Sequence, residues 1–249
     1  AWWQALELAL EMAGGLDGVE AISIAGQQHG MVVLDESGRV IRPALLWNDT
    51  RSAQAALDLI AEFGVENLVA RSGSAPVASF TITKLRWLRD NEPANAAKVA
   101  AVALPHDWLT WRLRGYGPAG ESALGAVLTE LITDRSDASG TGYFNPETNQ
   151  YDDDLVIAAL GHQPILPRIL VPGDSVGPVV SGRSHAIVAC GAGDNAGAAL
   201  GLGARDGDIV VSLGTSGTIF AVTSTRPQDP SGTIGGFADA SGIYLPIAV

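Results

Sequence analysis

An α/β fold is the class this sequence predicts, and three observations carry the prediction. Short apolar, β-rich runs alternate along the chain with segments of helical period. Glycine or proline stands where those helical segments should stop, as at Gly64, Pro93 and Gly115. With 249 residues, 47% of them hydrophobic and 17% charged, the chain can bury one large core or two ordinary ones.

Taken in order, AWWQALELALEMAGGL begins directly on helical spacing, with Trp3, Leu6, Leu10 and Ala13 on one face. VEAISIAG at 19–26 predicts a short buried strand, and HGMVVLDESGRVIRPALLW a hairpin turning at 35–38. TRSAQAALDLIAEFG predicts a helix closed by Gly64, and TITKLRWLRDNEP another that stops before Pro93. KVAAVALPHDWLTWRLRG supplies a strand and then a helix ending at Gly115. The loosely patterned stretch that follows, through Glu130, belongs on the surface. DLVIAALG is a short helix, AIVACGAGDN a buried strand running into a loop, and NAGAALGLGA a helix of small residues able to pack closely. From Asp208 the texture changes: DIVVSLGTSGTIFAVTS predicts two strands around a Gly-Thr-Ser-Gly turn, and GIYLPIAV a third. A domain boundary near 203–208 follows, with the second domain only begun. The first helix lacks a leading methionine and the last strand a turn or cap, so further chain is expected on both sides.

Charge narrows the partners. Fifteen Lys and Arg against 27 Asp and Glu leave a net charge of -12, which repels nucleic acid and anionic membranes. Cys190 is the single cysteine, which excludes an internal disulfide and fits a reducing cytoplasm. No apolar run reaches the ~18–20 residues of a membrane span, and the N-terminus lacks the order of a signal peptide, so the chain reads as soluble.

Three segments hold residue types suited to chemistry. In GAGDNAGAALGLG, at 191–203, Asp194 and Asn195 interrupt a run of tiny residues at a strand-to-helix junction, where open α/β sheets place ligands. A carboxylate there can take a proton from an alcohol while the amide positions it; either residue can equally serve as a helix cap. In SLGTSGT, at 212–218, backbone N–H and hydroxyl groups of Gly214, Thr215, Ser216 and Gly217 can converge on a phosphate, or form an ordinary hairpin turn. In GQQHG, at 26–30, Gln28 and His29 offer an amide and an imidazole for sugar hydroxyls. LLWNDTR reads as a packed tryptophan and a helix cap. His106, His162 and His185 have no metal-ligand spacing to one another or to Cys190. Neither a dinucleotide loop nor a nucleophilic serine elbow is present, which disfavours oxidoreductase and serine hydrolase readings.

IAGQQHGMVVLD, RPALLWNDTR, LPHDWLTWRL, SDASGT, GAGDNAGAALGLG and SLGTSGTIFAV, in this order, resemble the FGGY family of carbohydrate kinases. SFTITKLRWLRDN fits the first signature of that family through Ser79, Thr81, Lys84, Leu85 and Trp87. The resemblance implies an actin-like ATPase fold, ribonuclease H-like in its halves, with a cleft between two domains. Residues 1–205 would be the N-terminal sugar-binding domain without its first strands, and 206–249 the start of the C-terminal ATP-binding domain. It implies ATP-dependent phosphorylation of a pentulose, D-xylulose foremost, to its 5-phosphate, with Mg2+ bridging the phosphates. Ribulose, gluconate and glycerol are the alternative substrates; a non-catalytic sugar-binding module is the alternative of another class. Asp194 would match the general base, Gln28, His29, Gly30 and Asn195 would bind sugar with it, and 214–217 would match a phosphate loop. A sugar and ATP are thus the implied partners, a homodimer is permitted, and no nucleic acid or membrane is expected. Three departures accompany the resemblance, one being the stretch 116–130, which replaces the family's usual short connection. Gln28 replaces the usual methionine, and the family's Asp-x-Gly-Thr phosphate loop and adenine-binding region have no counterpart, so the chain alone is expected to turn over poorly.

Overall fold

Helices form in this chain where an apolar face meets a definite stop. The computed structural model describes residues 1–180, 184–213 and 217–248. α1 (Trp2–Met12) turns Trp3, Leu6 and Leu10 onto a cluster around Leu113, Val179, Ala186 and Val188, the face its spacing predicts. α2 (Ala53–Phe63) is closed by Gly64, and α3 (Val65–Ser72) begins on the next residue, so the glycine that stops one helix hides the start of another. α4 (Thr81–Asn91) ends as expected, with α5 (Pro93–Ala96) using proline in its first turn. α6 (Pro105–Leu113), α7 (Arg135–Ser139), α8 (Asp153–Leu160) and α9 (Asp194–Leu202) complete the helices of more than one turn. Residues 116–127 cross the surface without regular structure, as predicted, and lead into the 3-10 turn Leu128–Glu130.

The strands of the first two hundred residues are short. β1 (Ala21–Ile22), β2 (Ala25–Gly26), β3 (Val32–Leu34) and β4 (Ala101–Ala103) come first. β5 (Ile132–Asp134), β6 (Phe144–Asn145), β7 (Gln150–Tyr151), β8 (Arg168–Leu170) and β9 (Ser175–Pro178) follow, then β10 (Ile187–Ala189) and β11 (Ala192–Gly193). β1 pairs parallel with β10, β2 with β11 and β5 with β8. β3 pairs antiparallel with β4 and is fully buried, so the early hairpin contributes its turn at Asp35–Gly38 and only single bridges beyond it. Two expectations need correcting: 19–26 and 186–193 are each two short strands instead of one buried strand. Ala21, Ala25 and Ile187 of these strands are exposed, so neither stretch is buried throughout.

β12 (Ile209–Leu213), β13 (Gly217–Ala221), β14 (Ile234–Ala238) and β15 (Tyr244–Ala248) form one antiparallel sheet in the order β12-β13-β15-β14. The first two and the last were predicted; β14, reading IGGFA, hides behind its two glycines. Phe220, Phe237, Leu245 and Ile247 of this sheet share one core with Leu85 and Leu88 of α4 and with Val156 and Ala159 of α8. Ile209, Val211 and Leu213 of β12 remain exposed, Leu213 by 84%. No helix among the described residues is long and apolar enough to cross a membrane.

Candidate sugar site at the ends of two parallel strands

β2 and β11 carry the GQQHG loop and the start of α9 to one sheet edge. Their register is Ala25↔Ala192 and Gly26↔Gly193, so 27–30 and 194–195 leave the pair side by side at its carboxyl end. The loops meet closely: a Cβ on Gly193 would stand 2.9 Å from Gln28 Cγ, so glycine is what permits the contact. Two cavities lie away from this edge, about 540 Å3 beside Asp35, Lys98 and His162 and about 390 Å3 beside Trp2, Pro43 and Trp108.

Asp194 is the first residue of α9 and is exposed. The capping role open to Asp194 and Asn195 falls to Gly193 instead, without any side-chain bond. The Asp194 carboxylate accepts at Oδ1 from the Asn195 backbone N at 2.8 Å and from Asn195 Nδ2 at 3.2 Å. Asn195 therefore orients the acid at the first turn of α9.

Gln28 is buried and donates from Nε2 to the Ser136 carbonyl at 2.6 Å. His29 holds the left-handed backbone, φ 71, which a non-glycine residue keeps only when its surroundings enforce it. The enforcement comes from α4. Lys84 Nζ donates to the His29 carbonyl at 2.9 Å and also to the Ser79 carbonyl, and Thr81 Oγ1 donates to the His29 carbonyl at 3.2 Å. This gives the signature lysine its place: it is fully buried, and burial lowers its pKa to about 7 against the pull of Asp49. The His29 ring stacks on Phe80 at 4.9 Å and leans on Phe237 at 5.6 Å. Burial holds it at a pKa of about 4, with the Gly140 bond opposing and Lys84 adding to the effect, so the imidazole is neutral at pH 7. Nδ1 lies 2.6 Å from the Gly140 carbonyl and must carry the hydrogen, which leaves Nε2 as an acceptor. Gly30 packs on the start of α6, where a Cβ would come within 2.6 Å of Pro105 Cγ.

Behind these loops is a polar cluster that spacing did not suggest. His106 Nδ1 lies 2.9 Å from Asp107 Oδ1 and 3.3 Å from Asp137 Oδ2, and Nε2 donates to the Cys190 carbonyl at 2.9 Å. Burial alone would depress His106, but the bonds and charges of Asp107 and Asp137 outweigh it and raise its pKa well above the usual value. Burial pushes Asp137 up to about 8 against the pull of His106, whose Nδ1 stands 3.3 Å from its Oδ2. His106 is therefore held toward its cationic form, while burial holds Asp137 toward its protonated form. Between pH ~4 and 8 native Asp137 holds a proton that the unfolded chain has lost, so rising pH disfavours folding through this group. The stability difference between wild type and Asp137→Asn, read from denaturant melts, is expected to move against the wild type as pH rises across that window. An unchanged difference from pH 5 to 8 would show that Asp137 ionises normally.

The reading of LLWNDTR is resolved differently: the N-cap of α2 is Ser52 and not a residue of that stretch. Trp47 is 57% exposed instead of packed, while the neighbouring Asp49 and Arg51 pair at 2.8 Å and the Arg51 guanidinium lies over Trp87. Of the proposed phosphate loop, Gly214, Thr215 and Ser216 lie outside the described residues; Gly217 opens β13 opposite Leu213.

Comparison with known proteins gives a consistent result. The family model for the N-terminal domain of the FGGY family of carbohydrate kinases matches residues 1–201. A xylulose kinase of Streptomyces rubiginosus is 49% identical over 255 residues, 99% of this chain and 50% of that protein. The crystal structure of xylulose kinase from Bifidobacterium adolescentis superposes with a TM-score of 0.92 at 45% identity, covering 99% of this chain and 56% of that one. A glycerol kinase of Plasmodium falciparum solved with ADP superposes at 0.78 with 19% identity, covering 92% of this chain and 46% of that one, which extends the likeness in fold alone. The chain spans about half the length of the curated relatives it matches over its whole extent. Its mixed helices and strands are those of the actin-like ATPase fold of sugar kinases, and it belongs to the FGGY family of carbohydrate kinases.

Proposed function

We propose that this chain supplies the sugar-binding half of a cytoplasmic kinase that phosphorylates a pentulose, D-xylulose first, with Asp194 as the general base. The observation that carries this reading is the parallel pair β2–β11, which brings Gln28, His29, Asp194 and Asn195 to one edge. The 49% identity to a xylulose kinase supports D-xylulose over the other sugars. Residues 1–205 then form the sugar-binding domain and 206–249 open the ATP-binding one, a division supported by the end of the family match at 201.

In this mechanism the exposed Asp194 carboxylate takes the proton of the terminal hydroxyl as its oxygen bonds to the γ-phosphorus of ATP and ADP departs. Asn195 keeps the acid aimed. His29 accepts from a sugar hydroxyl through Nε2, because Nδ1 is committed to Gly140. Gln28 has one amide hydrogen committed to Ser136 and keeps its other polar positions for sugar. The backbone at 214–217 receives a phosphate of ATP. Mg2+ enters on ATP as part of the substrate. The His106, Asp107 and Asp137 atoms, all within 4.8 Å of one another, do not fit it: they are buried, one is a protonated nitrogen, and Mg2+ demands an octahedral oxygen shell with waters.

The test is sugar-dependent ADP formation by the protein at its natural length, screened against D-xylulose, D- and L-ribulose, gluconate and glycerol. Preference for D-xylulose is the expected result. Preference for another sugar would reassign the substrate, and sugar binding without turnover would make the chain part of a binding module.

A further inference from the structure

The SDASGT block, at 136–141, touches neither sugar nor phosphate in the mechanism above, yet the loops on both sides of the sugar site are tied to it. The β2–β11 pair is only two residues long and ends at Gly26 and Gly193. Beyond that point no ladder bond holds the loop bearing Gln28 against the one bearing Asp194. Ser136, fully buried in α7, stands between them. Its carbonyl accepts from Gln28 Nε2 at 2.6 Å, and its Oγ accepts from the Gly193 backbone N at 3.0 Å.

The direction of the hydroxyl is settled by a third residue. Asp134 caps α7, taking the Ser136 N–H on Oδ2 at 2.7 Å and the Asp137 N–H on Oδ1 at 3.1 Å. Ser136 Oγ lies 2.5 Å from the same Oδ2 and can only donate to it. That leaves the oxygen lone pairs facing Gly193, the residue immediately before Asp194. At the far end of the same turn, the Gly140 carbonyl holds His29. One turn of five residues therefore carries Gln28 and His29 on one side and the approach to Asp194 on the other.

We propose that Ser136, oriented by Asp134, is a positioning residue that fixes the spacing between the sugar-binding loop of Gln28 and the loop bearing Asp194. The inference rests on the kinase reading for the roles of the residues it positions. Ser136→Ala removes the acceptor of the Gly193 N–H but keeps the carbonyl that holds Gln28. It loses two hydrogen bonds, that of Oγ to Asp134 Oδ2 and that from the Gly193 N–H; the second leaves a buried donor unpaired and by itself corresponds to about a tenfold effect.

Two measurements on the natural-length protein test it. Steady-state kinetics of Ser136→Ala with D-xylulose should show kcat/KM for the sugar lowered about tenfold or more per folded enzyme, with KM for ATP unchanged. Amide hydrogen exchange should show the Gly193 amide exchanging about tenfold faster while Val33 and Val102, in the β3–β4 pair, keep their rates. Equal acceleration at all three amides, or sugar kinetics that follow only the folded fraction, would reduce Ser136 to a structural residue and overturn the proposal. Absence of turnover with every sugar in the wild type would count against the kinase reading instead, and exchange at Gly193 would still judge the positioning. Should Ser136→Ala not fold, Ser136→Cys keeps a side chain of similar size with a weaker acceptor and goes through both measurements with the same expectations.

Discussion

Asp194→Asn in the natural-length protein is expected to lower kcat for sugar phosphorylation by about 10²–10⁴-fold, the range for losing a positioned general base. That corresponds to roughly 3–5 kcal/mol of transition-state stabilisation. Asparagine keeps the shape of the side chain and an oxygen to accept from the Asn195 backbone N–H, so the start of α9 should not change. Asp194 is exposed, and no core contact is lost with its charge. Sugar affinity, measured by calorimetry, should therefore stay within a few-fold. A variant that retains most of its kcat would remove Asp194 from the reaction, and one that loses sugar binding in parallel would make it a ligand for the substrate instead of its base.

Gly191→Ala is expected to be the most damaging single methyl group near the site, costing about 3–5 kcal/mol from left-handed strain and overpacking together. Gly191 has φ 77, and a Cβ there would lie 2.3 Å from His106 Nε2 and 2.3 Å from the Ile24 carbonyl oxygen. Neither neighbour can swing aside. His106 is fixed to the carbonyl of Cys190 and between two acids, and the Ile24 carbonyl accepts from the Ala192 backbone N at 3.2 Å as the strand pair begins. At roughly 2–4 °C per kcal/mol for a domain of this size, the Tm should fall by about 6–20 °C. Gly203→Ala is the control: φ is 66 but a Cβ would meet nothing within 4 Å, so only the strain of about 1 kcal/mol applies. Equal losses at the two positions would mean that the crowding around His106 is relieved at no cost.

Much of the site was legible because its parts obey local rules. A carboxylate among tiny residues after an apolar run marks a strand-to-helix junction, and Asp194 stands at one. The order of the sequence blocks pointed to the family that the comparison then showed. What stayed hidden was the partner of each polar group. Lys84 was visible as a signature residue, but that it braces the His29 carbonyl depends on α4 lying beside the loop, 55 residues away in sequence. Ser136 and Gln28 are 108 positions apart. His106 and Asp137 show no ligand spacing because helix and strand packing, instead of chain proximity, brings them within 3.3 Å. β14 and α3 were missed for a different reason: glycine signals a stop locally, and only packing against the core decides that the chain continues in order.

The sequence by itself determined the class of fold, most helix ends and the two loops that bear the chemistry, since capping, periodicity and glycine turns are interactions of near neighbours. Only the tertiary structure decided which charges are buried, which histidine is neutral and which is cationic, and how the two loops are held together. Those outcomes depend on desolvation and on hydrogen bonds that close over long stretches of chain, and neither exists until the strands and helices have packed.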